Sequence, residues 1–124
     1  MPERDPLTEL IIGAAIRVRT RVGCGLLEKA YHEFLCIELR KIDLPFRSQP
    51  TLPVIYDGYR VELAYRPDLI INDQVIVELK TVTAFAPVHQ AQILTYLRLS
   101  GIRVGLLINF HAVPFKSGIR RFII

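Results

Sequence analysis

Apolar residues in the N-terminal part of the chain recur at the spacing of two amphipathic helices. Asp5 and Pro6 predict the start of the first helix, as an N-cap followed by proline at the first helical position. Gly23 and Gly25 predict the break between the helices. The predicted apolar faces consist of Leu7, Leu10, Ile11, Ala14, Ala15 and Val18 in the first helix, and Leu27, Ala30, Tyr31, Phe34, Leu35 and Leu39 in the second.

From Arg47 onward the pattern changes to the alternation that is typical of strands. We predict a strand over residues 52–56, a tight turn at Asp57 and Gly58, and a strand from Tyr59 that continues with a bend to residue 71. With residues 75–80 this forms a three-stranded antiparallel meander. Pro53 predicts an edge strand or an irregularity, because proline donates no ladder hydrogen bond.

A third helix is predicted from Pro87 to residue 100, with Gly101 as its C-cap. The apolar run 104–110 predicts a buried strand that is parallel to its neighbour, and residues 118–124 predict an edge strand. The fold class is therefore α/β, a mixed β-sheet flanked by helices with the core order α-α-β-β-β-α-β, in a single domain over residues 1–124. The expected core stripe of the third helix is Val88, Ala91, Leu94 and Leu97.

Composition excludes several classes of protein. With 124 residues, of which 51% are hydrophobic, the chain has the size and apolar content of one folded domain. Its apolar runs are too short for a membrane span and its first residues do not resemble a signal peptide, so we expect a cytoplasmic protein without membrane contact. Cys24 and Cys36 are expected to be free thiols, and the net charge of +4 permits a polyanionic partner.

Charged residues interrupt the apolar hairpin of residues 68–80 at its open end. A buried carboxylate is costly unless it is paired or binds a cation, so Asp68 and Glu78 need a partner. A three-residue loop, 72–74, pairs Asp68 with Glu78 and puts Lys80 on the same face, whereas a two-residue loop separates the carboxylates. Paired carboxylates suit Mg²⁺ or Mn²⁺. A structural ion-pair network with Lys80 is the alternative interpretation of the same residues.

The motifs resemble those of the PD-(D/E)XK nuclease superfamily. Pro67-Asp68 followed by Glu78-Leu79-Lys80 is similar to its defining motif, and residues 25–31 resemble the G-x-x-E-x-x-Y motif of the GxxExxY protein family. Residues 92–96 resemble the Q-x-x-x-Y motif of RecB-type nucleases. The resemblance implies that Asp68 and Glu78 are metal ligands and Lys80 is catalytic.

The resemblance also implies roles for residues on the helices. It makes Glu28 a further acidic residue at the metal or its water, and it makes Gln92 and Tyr96 residues that face the site. Tyr31 and His89 are candidates for substrate contact, with packing and a helix-end polar role as their respective alternatives. Strand alternation adds Arg66, two residues from Asp68, as a candidate phosphate contact.

The function that these residues predict is Mg²⁺-dependent hydrolysis of phosphodiester bonds in nucleic acid, with DNA favoured over RNA. The alternative is a non-catalytic module with a nuclease fold that binds nucleic acid or a partner protein. Because no partner domain is recognisable, we expect a homodimer or a partner protein to help hold the substrate.

Overall fold

Helices enclose a mixed sheet in a computed structural model that describes residues 5–124, apart from the side chain of Ala64. The helices are α1 (Pro6–Val22), α2 (Glu28–Lys41) and α3 (Pro87–Ser100). The strands are β1 (Phe46–Ser48), β2 (Leu52–Tyr56), β3 (Tyr59–Tyr65), β4 (Leu69–Ile71), β5 (Val75–Lys80), β6 (Val104–Asn109) and β7 (Ile119–Ile123), with a 3₁₀ turn at Phe115–Gly118. The predicted mixed α/β architecture is confirmed.

The main sheet has the strand order β1-β4-β5-β6-β7. The β5–β6 pair is parallel, as the crossover through α3 predicts, and the other neighbours are antiparallel. Helices α1 and α2 pack on one face of the sheet and α3 packs on the other. Strand β5 therefore lies in the middle of the sheet with both of its faces covered. No helix in the described range 5–124 is long and apolar enough to cross a bilayer.

The hairpin of β4 and β5 has the predicted three-residue loop, Asn72 to Gln74. Asn72 and Asp73 both adopt positive φ near 53°, a conformation that short polar side chains tolerate. The N–H of Gln74 closes the loop by donating to the carbonyl of Ile71 over 3.0 Å. The loop length sets the hairpin register, and one face is wholly apolar as predicted: Leu69, Ile71, Val75, Val77 and Leu79 lie in the core with α1 and α2.

The predicted three-stranded meander is wrong. Strands β2 and β3 form a separate two-stranded ribbon, and the short strand β1 pairs with β4 in the position expected for β3. The chain leaves the extended ladder between Tyr65 and Leu69, at the buried Pro67, which cannot donate a ladder hydrogen bond. The irregularity predicted from Pro53 is confirmed by a register shift between Leu52 and Val54.

The core stripe of α3 also differs from the prediction, which placed Val88 and Ala91 inside. The buried residues are Ile93, Tyr96 and Leu97, while Val88 is 66% exposed. The side of α3 that contains Ile93, Tyr96 and Leu97 packs on the sheet because β6 has a glycine, Gly105, at the point of contact. A Cβ on Gly105 would lie 2.9 Å from Cδ1 of Ile93, so its absence lets the helix approach the strand closely.

The first two helices show the same kind of local difference. The N-cap of α1 is confirmed, since the Asp5 side chain accepts a 3.0 Å hydrogen bond from the N–H of Leu7. Ile11, Ala14, Ala15 and Val18 are buried as predicted, but Leu10 is half exposed. Leu27 is also exposed, because α2 begins one residue later than its apolar pattern suggests.

Candidate active site

The register of the β4–β5 hairpin brings Asp68 and Glu78 opposite each other. Leu69 pairs with Val77, and the next positions outward are Asp68 and Glu78. The N–H of Asp68 donates to Oε1 of Glu78 over 2.6 Å, and the N–H of Leu79 donates to Oδ2 of Asp68 over 2.7 Å. Each carboxylate is thus held by the main chain of the other strand.

The environment of this pair disfavours two negative charges. Glu78 is 3% exposed, and its burial, followed by repulsion from Asp68, raises its pKa to about 8. Burial also raises the pKa of Asp68, partly offset by the N–H of Leu79 and by the nearby His32 and Lys80. When both side chains are ionised, they carry more negative charge than the surrounding protein neutralises.

Lys80 lies two residues beyond Glu78 on the same strand face and connects the pair to α3. Its Nζ donates a 2.9 Å hydrogen bond to Oε1 of Gln92 and lies 3.7 Å from Oε2 of Glu78. The Nε2 of Gln92 donates to Oη of Tyr96 over 3.2 Å, and Tyr96 donates to the carbonyl of Arg66 over 3.3 Å. This hydrogen-bonded chain joins the end of β5, the helix and the segment that leads into Asp68.

Lys80, Gln92 and Tyr96, three of the residues selected from the sequence, therefore lie together. The ion-pair alternative for Lys80 describes only part of the arrangement, because the shorter contact of its ammonium group is to Gln92 rather than to a carboxylate. Burial raises the pKa of Tyr96, with a contribution from Glu78, so its hydroxyl stays a neutral donor.

Two clefts flank the carboxylates. The cleft on the α2 side has a volume of about 280 Å³ and the one on the α3 side about 540 Å³. Asp68 lines the first cleft and Lys80 lines the second. The α2-side cleft is lined by Glu28, Lys29, His32, Glu33, Ser48, Gln49 and Asp68; the α3-side cleft is lined by Tyr65, Lys80, Val88, His89, Ala91, Gln92, Thr95 and Tyr96.

Glu28 is the first residue of α2 and lines the same cleft as Asp68. Partial burial raises the pKa of Glu28, the charge of Asp68 raises it further, and Lys80 acts in the opposite direction. The carboxylate is therefore within electrostatic reach of the pair while it lies on the rim of the cleft.

Tyr31, the last residue of the motif that contains Glu28, lies elsewhere. Its ring is fully buried and stacks on Phe110 with centroids 4.5 Å apart. Its hydroxyl donates to the carbonyl of Gly23 over 2.6 Å and accepts from the N–H of Leu26 over 3.3 Å. Tyr31 has no exposed surface for a substrate, and its contacts hold the loop before α2, which corresponds to the packing alternative.

His89 and Arg66 have less direct relations to the pair. Nδ1 of His89 accepts a 3.0 Å hydrogen bond from the N–H of Ala86 at the start of α3, and its side chain also lines the α3-side cleft. Arg66 is exposed and follows the end of β3, so the alternation that was used to orient it does not extend to its position. Its carbonyl, rather than its guanidinium, contacts Tyr96.

The chemistry of the donor set fits a hard divalent cation. Among residues 5–124, no group of three or more His, Cys, Asp or Glu side chains is assembled to hold a metal ion. Asp68 and Glu78 together offer two carboxylates, each with one oxygen held by a main-chain N–H. Mg²⁺ commonly binds through one or two carboxylates and keeps several waters, so this pair meets its requirements.

The structure adds two polar residues that sequence reasoning missed. His32 is nearly buried in the α2-side cleft, with Nε2 2.8 Å from Oγ of Ser48, and its position one turn after Glu28 is a signal that could have identified it. Asn109 is paired with Lys80 across β5 and β6. Its side-chain amide donates to the carbonyl of Val82 over 2.7 Å and accepts from the same residue's N–H over 3.1 Å, which secures the chain just after Lys80.

A family model described as PD-(D/E)XK nuclease superfamily matches residues 5–122 of the chain. The match covers nearly the whole sequence and includes every residue of the hairpin and of the hydrogen-bonded chain. No curated protein and no solved structure shows significant similarity to the chain.

Proposed function

Because the chain belongs to the PD-(D/E)XK nuclease superfamily, we propose that it hydrolyses phosphodiester bonds in nucleic acid, with a divalent cation held by Asp68 and Glu78. The observation that carries this proposal is the reciprocal pairing of the two carboxylates, whose joint ionisation is unfavourable because burial and mutual repulsion raise the pKa of Glu78 to about 8. A cation at this position removes the electrostatic cost of ionising both groups.

The remaining residues have distinct roles in the proposed reaction. A bound divalent cation supplies positive charge to the phosphodiester and polarises a water molecule. Lys80 stabilises the negative charge that develops on the phosphate, and Gln92 orients its ammonium group through their 2.9 Å hydrogen bond. Glu28, on the rim of the cleft, accepts a proton or a hydrogen bond from water next to Asp68.

We further propose Mg²⁺ as the physiological cation, with Mn²⁺ as a substitute, and DNA as the substrate in preference to RNA. Two carboxylates without nitrogen or sulfur ligands support the first choice, and the resemblance of residues 92–96 to the Q-x-x-x-Y motif of RecB-type nucleases supports the second. Within residues 25–31, Glu28 lies in the cleft and Tyr31 lies in the core. Both named residues of the G-x-x-E-x-x-Y motif thus have a distinct place, which supports membership of the GxxExxY group. We place the protein in the cytoplasm and expect a homodimer or a partner protein to complete substrate binding.

The test is a cleavage assay on single-stranded, double-stranded and branched DNA and on RNA, with Mg²⁺, Mn²⁺ or EDTA. Asp68→Asn and Lys80→Ala should each abolish metal-dependent cleavage. Asp73→Asn is the matched control, because Asp73 lies in the loop of the same hairpin and its carboxylate pairs with Arg47 instead.

Cleavage that persists equally in Asp68→Asn and Lys80→Ala would show that the activity does not come from the assigned site. If the folded protein binds nucleic acid but cuts none of these substrates with either metal, the protein is the non-catalytic binding module rather than a nuclease.

A further inference from the structure

The β2–β3 ribbon presents one apolar face and one mixed face, on which Ile55 is paired with Arg60. The paired residues Tyr56 and Tyr59 lie at its tip, and the pair Val54 and Val61 follows on the same face. Arg60 and Glu62 form an ion pair on the other face. The apolar face thus continues along the whole ribbon and ends at the tip with two aromatic rings.

The two rings at the tip do not pack in the core of the protein. Tyr56 is 74% exposed and Tyr59 is 73% exposed, and Leu63 on the same face is also exposed. A two-stranded hairpin is marginally stable by itself, and adjacent exposed aromatic residues are typical of binding surfaces. The base of the ribbon is anchored, because Leu52 is buried against α3. The ribbon is therefore anchored to the core at its base and exposes apolar surface at its tip.

The same face leads directly into the candidate active site. Tyr65, at the base of β3, lines the α3-side cleft together with Lys80, and its ring packs edge-on against Tyr96 with centroids 6.5 Å apart. The residues paired with Tyr59 and Tyr65, which are Tyr56 and Leu52, lie four positions apart on β2, and this corresponds to about 13 Å of extended strand. A chain that runs along this face would pass from the tip to the ammonium group of Lys80.

The charges that line the two clefts indicate which kind of polymer can bind along the ribbon. The residues that line the α3-side cleft include no Asp or Glu in the range that the structure describes, and Lys80 contributes a positive charge. The α2-side cleft contains three carboxylates, those of Glu28, Glu33 and Asp68, which outnumber its one lysine, Lys29. A polyanion is therefore favoured on the side of the carboxylates where the ribbon lies.

We propose that the β2–β3 ribbon is an arm that binds single-stranded nucleic acid, with unpaired bases stacked on Tyr56 and Tyr59 and the sugar-phosphate backbone directed toward Lys80. This inference rests on the proposed function in that it takes the substrate to be nucleic acid. Bases in a duplex already stack on each other, whereas unpaired bases stack on aromatic side chains with little sequence preference. The arm therefore selects substrates with an unpaired segment next to the bond that is cut.

The test measures binding without cleavage, by fluorescence anisotropy of labelled oligothymidine and of a duplex in EDTA. The double variant Tyr56→Ala/Tyr59→Ala should bind the single strand at least about tenfold more weakly than the wild type. The matched control, Tyr56→Phe/Tyr59→Phe, keeps both rings and should bind within about twofold of the wild type. Ile55→Ser, on the other face of the ribbon, should leave affinity unchanged.

The proposal is refuted if the wild type does not bind the single strand, or if the double alanine variant binds it as tightly as the wild type does. It is also refuted if light scattering shows a wild-type dimer that the alanine variant converts to a monomer, since the occupant is then a second copy of the chain. Binding and cleavage, measured on the same proteins, separate the two proposals. Ring-dependent binding without cleavage retains the arm and rejects the nuclease, while cleavage with ring-independent binding does the reverse.

Discussion

The main-chain N–H of Asp68 donates a 2.6 Å hydrogen bond to Oε1 of Glu78, although the two side chains repel each other as carboxylates. The attraction is between a carboxylate and a peptide dipole, and the repulsion is between two charges in a site with little solvent. The same cross-strand pair therefore stabilises the hairpin and destabilises its own ionised form. The first two predictions follow from this opposition.

Asp68→Asn should remove cation binding without unfolding the protein. The amide oxygen of asparagine can still accept the hydrogen bond from the N–H of Leu79, while the loss of charge relieves the repulsion on Glu78. In EDTA, the melting temperature of the variant should equal or exceed that of the wild type. Calorimetric titration with Mn²⁺ should show binding to the wild type and to Asp73→Asn but not to Asp68→Asn. A large drop in melting temperature would show that the carboxylate is mainly structural.

The stability of the metal-free protein should fall as the pH rises. The pKa of Glu78 is raised from 4.5 to about 8 on folding, so the folded state holds a proton that the unfolded state has lost between these values. The free energy of unfolding therefore decreases across this interval, and the raised pKa of Asp68 acts in the same direction.

Urea unfolding in EDTA at a series of pH values measures this slope, and Glu78→Gln should flatten it. Cation binding releases the same proton, so Mn²⁺ affinity should increase with pH over the same interval. Stability that increases with pH in EDTA would contradict the assigned environment of Glu78.

Lys80 and Gln92 should affect turnover more than cation binding. Lys80→Met removes the ammonium group that we propose stabilises the phosphate and should lower kcat by about 100-fold or more. Gln92→Leu leaves Lys80 without its 2.9 Å partner and should lower kcat by about tenfold, with little change in Mn²⁺ affinity. Gln90→Leu, on the exposed side of α3, is the matched control. Equal activity in Gln92→Leu and Gln90→Leu would remove Gln92 from the site.

Within the motif of residues 25–31, substitution of Glu28 should affect activity and substitution of Tyr31 should affect stability. Tyr31→Phe removes the hydroxyl that binds Gly23 and Leu26 and should lower the free energy of unfolding by about 1–3 kcal/mol, with turnover per folded molecule unchanged. Glu28→Gln should reduce turnover and leave unfolding nearly unchanged, because its partial burial disfavours the charged form. Each variant is the control for the other in paired chemical denaturation and cleavage assays, and a loss of turnover in Tyr31→Phe alone would reverse the assignment.

The features of the fold that could be predicted are those that depend on local periodicity. The register of the hairpin follows from two alternating apolar runs, since only an odd loop places Leu69, Val77 and their neighbours on one face. The pairing of β1 with β4 could not be predicted, because it joins Arg47 to Ile70 across the entire β2–β3 ribbon. Local patterns show that a segment is extended but do not show which strand it joins.

The candidate site shows the same division. Strand alternation places Lys80 on the face of Asp68 and Glu78, while the resemblance to the Q-x-x-x-Y motif of RecB-type nucleases implies that Gln92 and Tyr96 face the site. Asn109 is a single polar residue in an apolar run, and its role depends on Val82 from another part of the chain. His32 follows Glu28 by one turn, but its hydrogen-bond partner, Ser48, is distant in the sequence. The α3 stripe was misassigned for a related reason, since the rotation of the helix is set by the space above Gly105.

The hydrogen bond from Leu79 to Asp68 has a spectroscopic consequence. Because β4 begins at Leu69, the N–H of Leu79 lies beyond the β4–β5 ladder and donates to the carboxylate of Asp68, which is a titrating group. Its proton resonance should therefore shift when that carboxylate changes charge. In ¹⁵N-labelled protein, this one amide reports the state of the site without any substrate and without altering the chain.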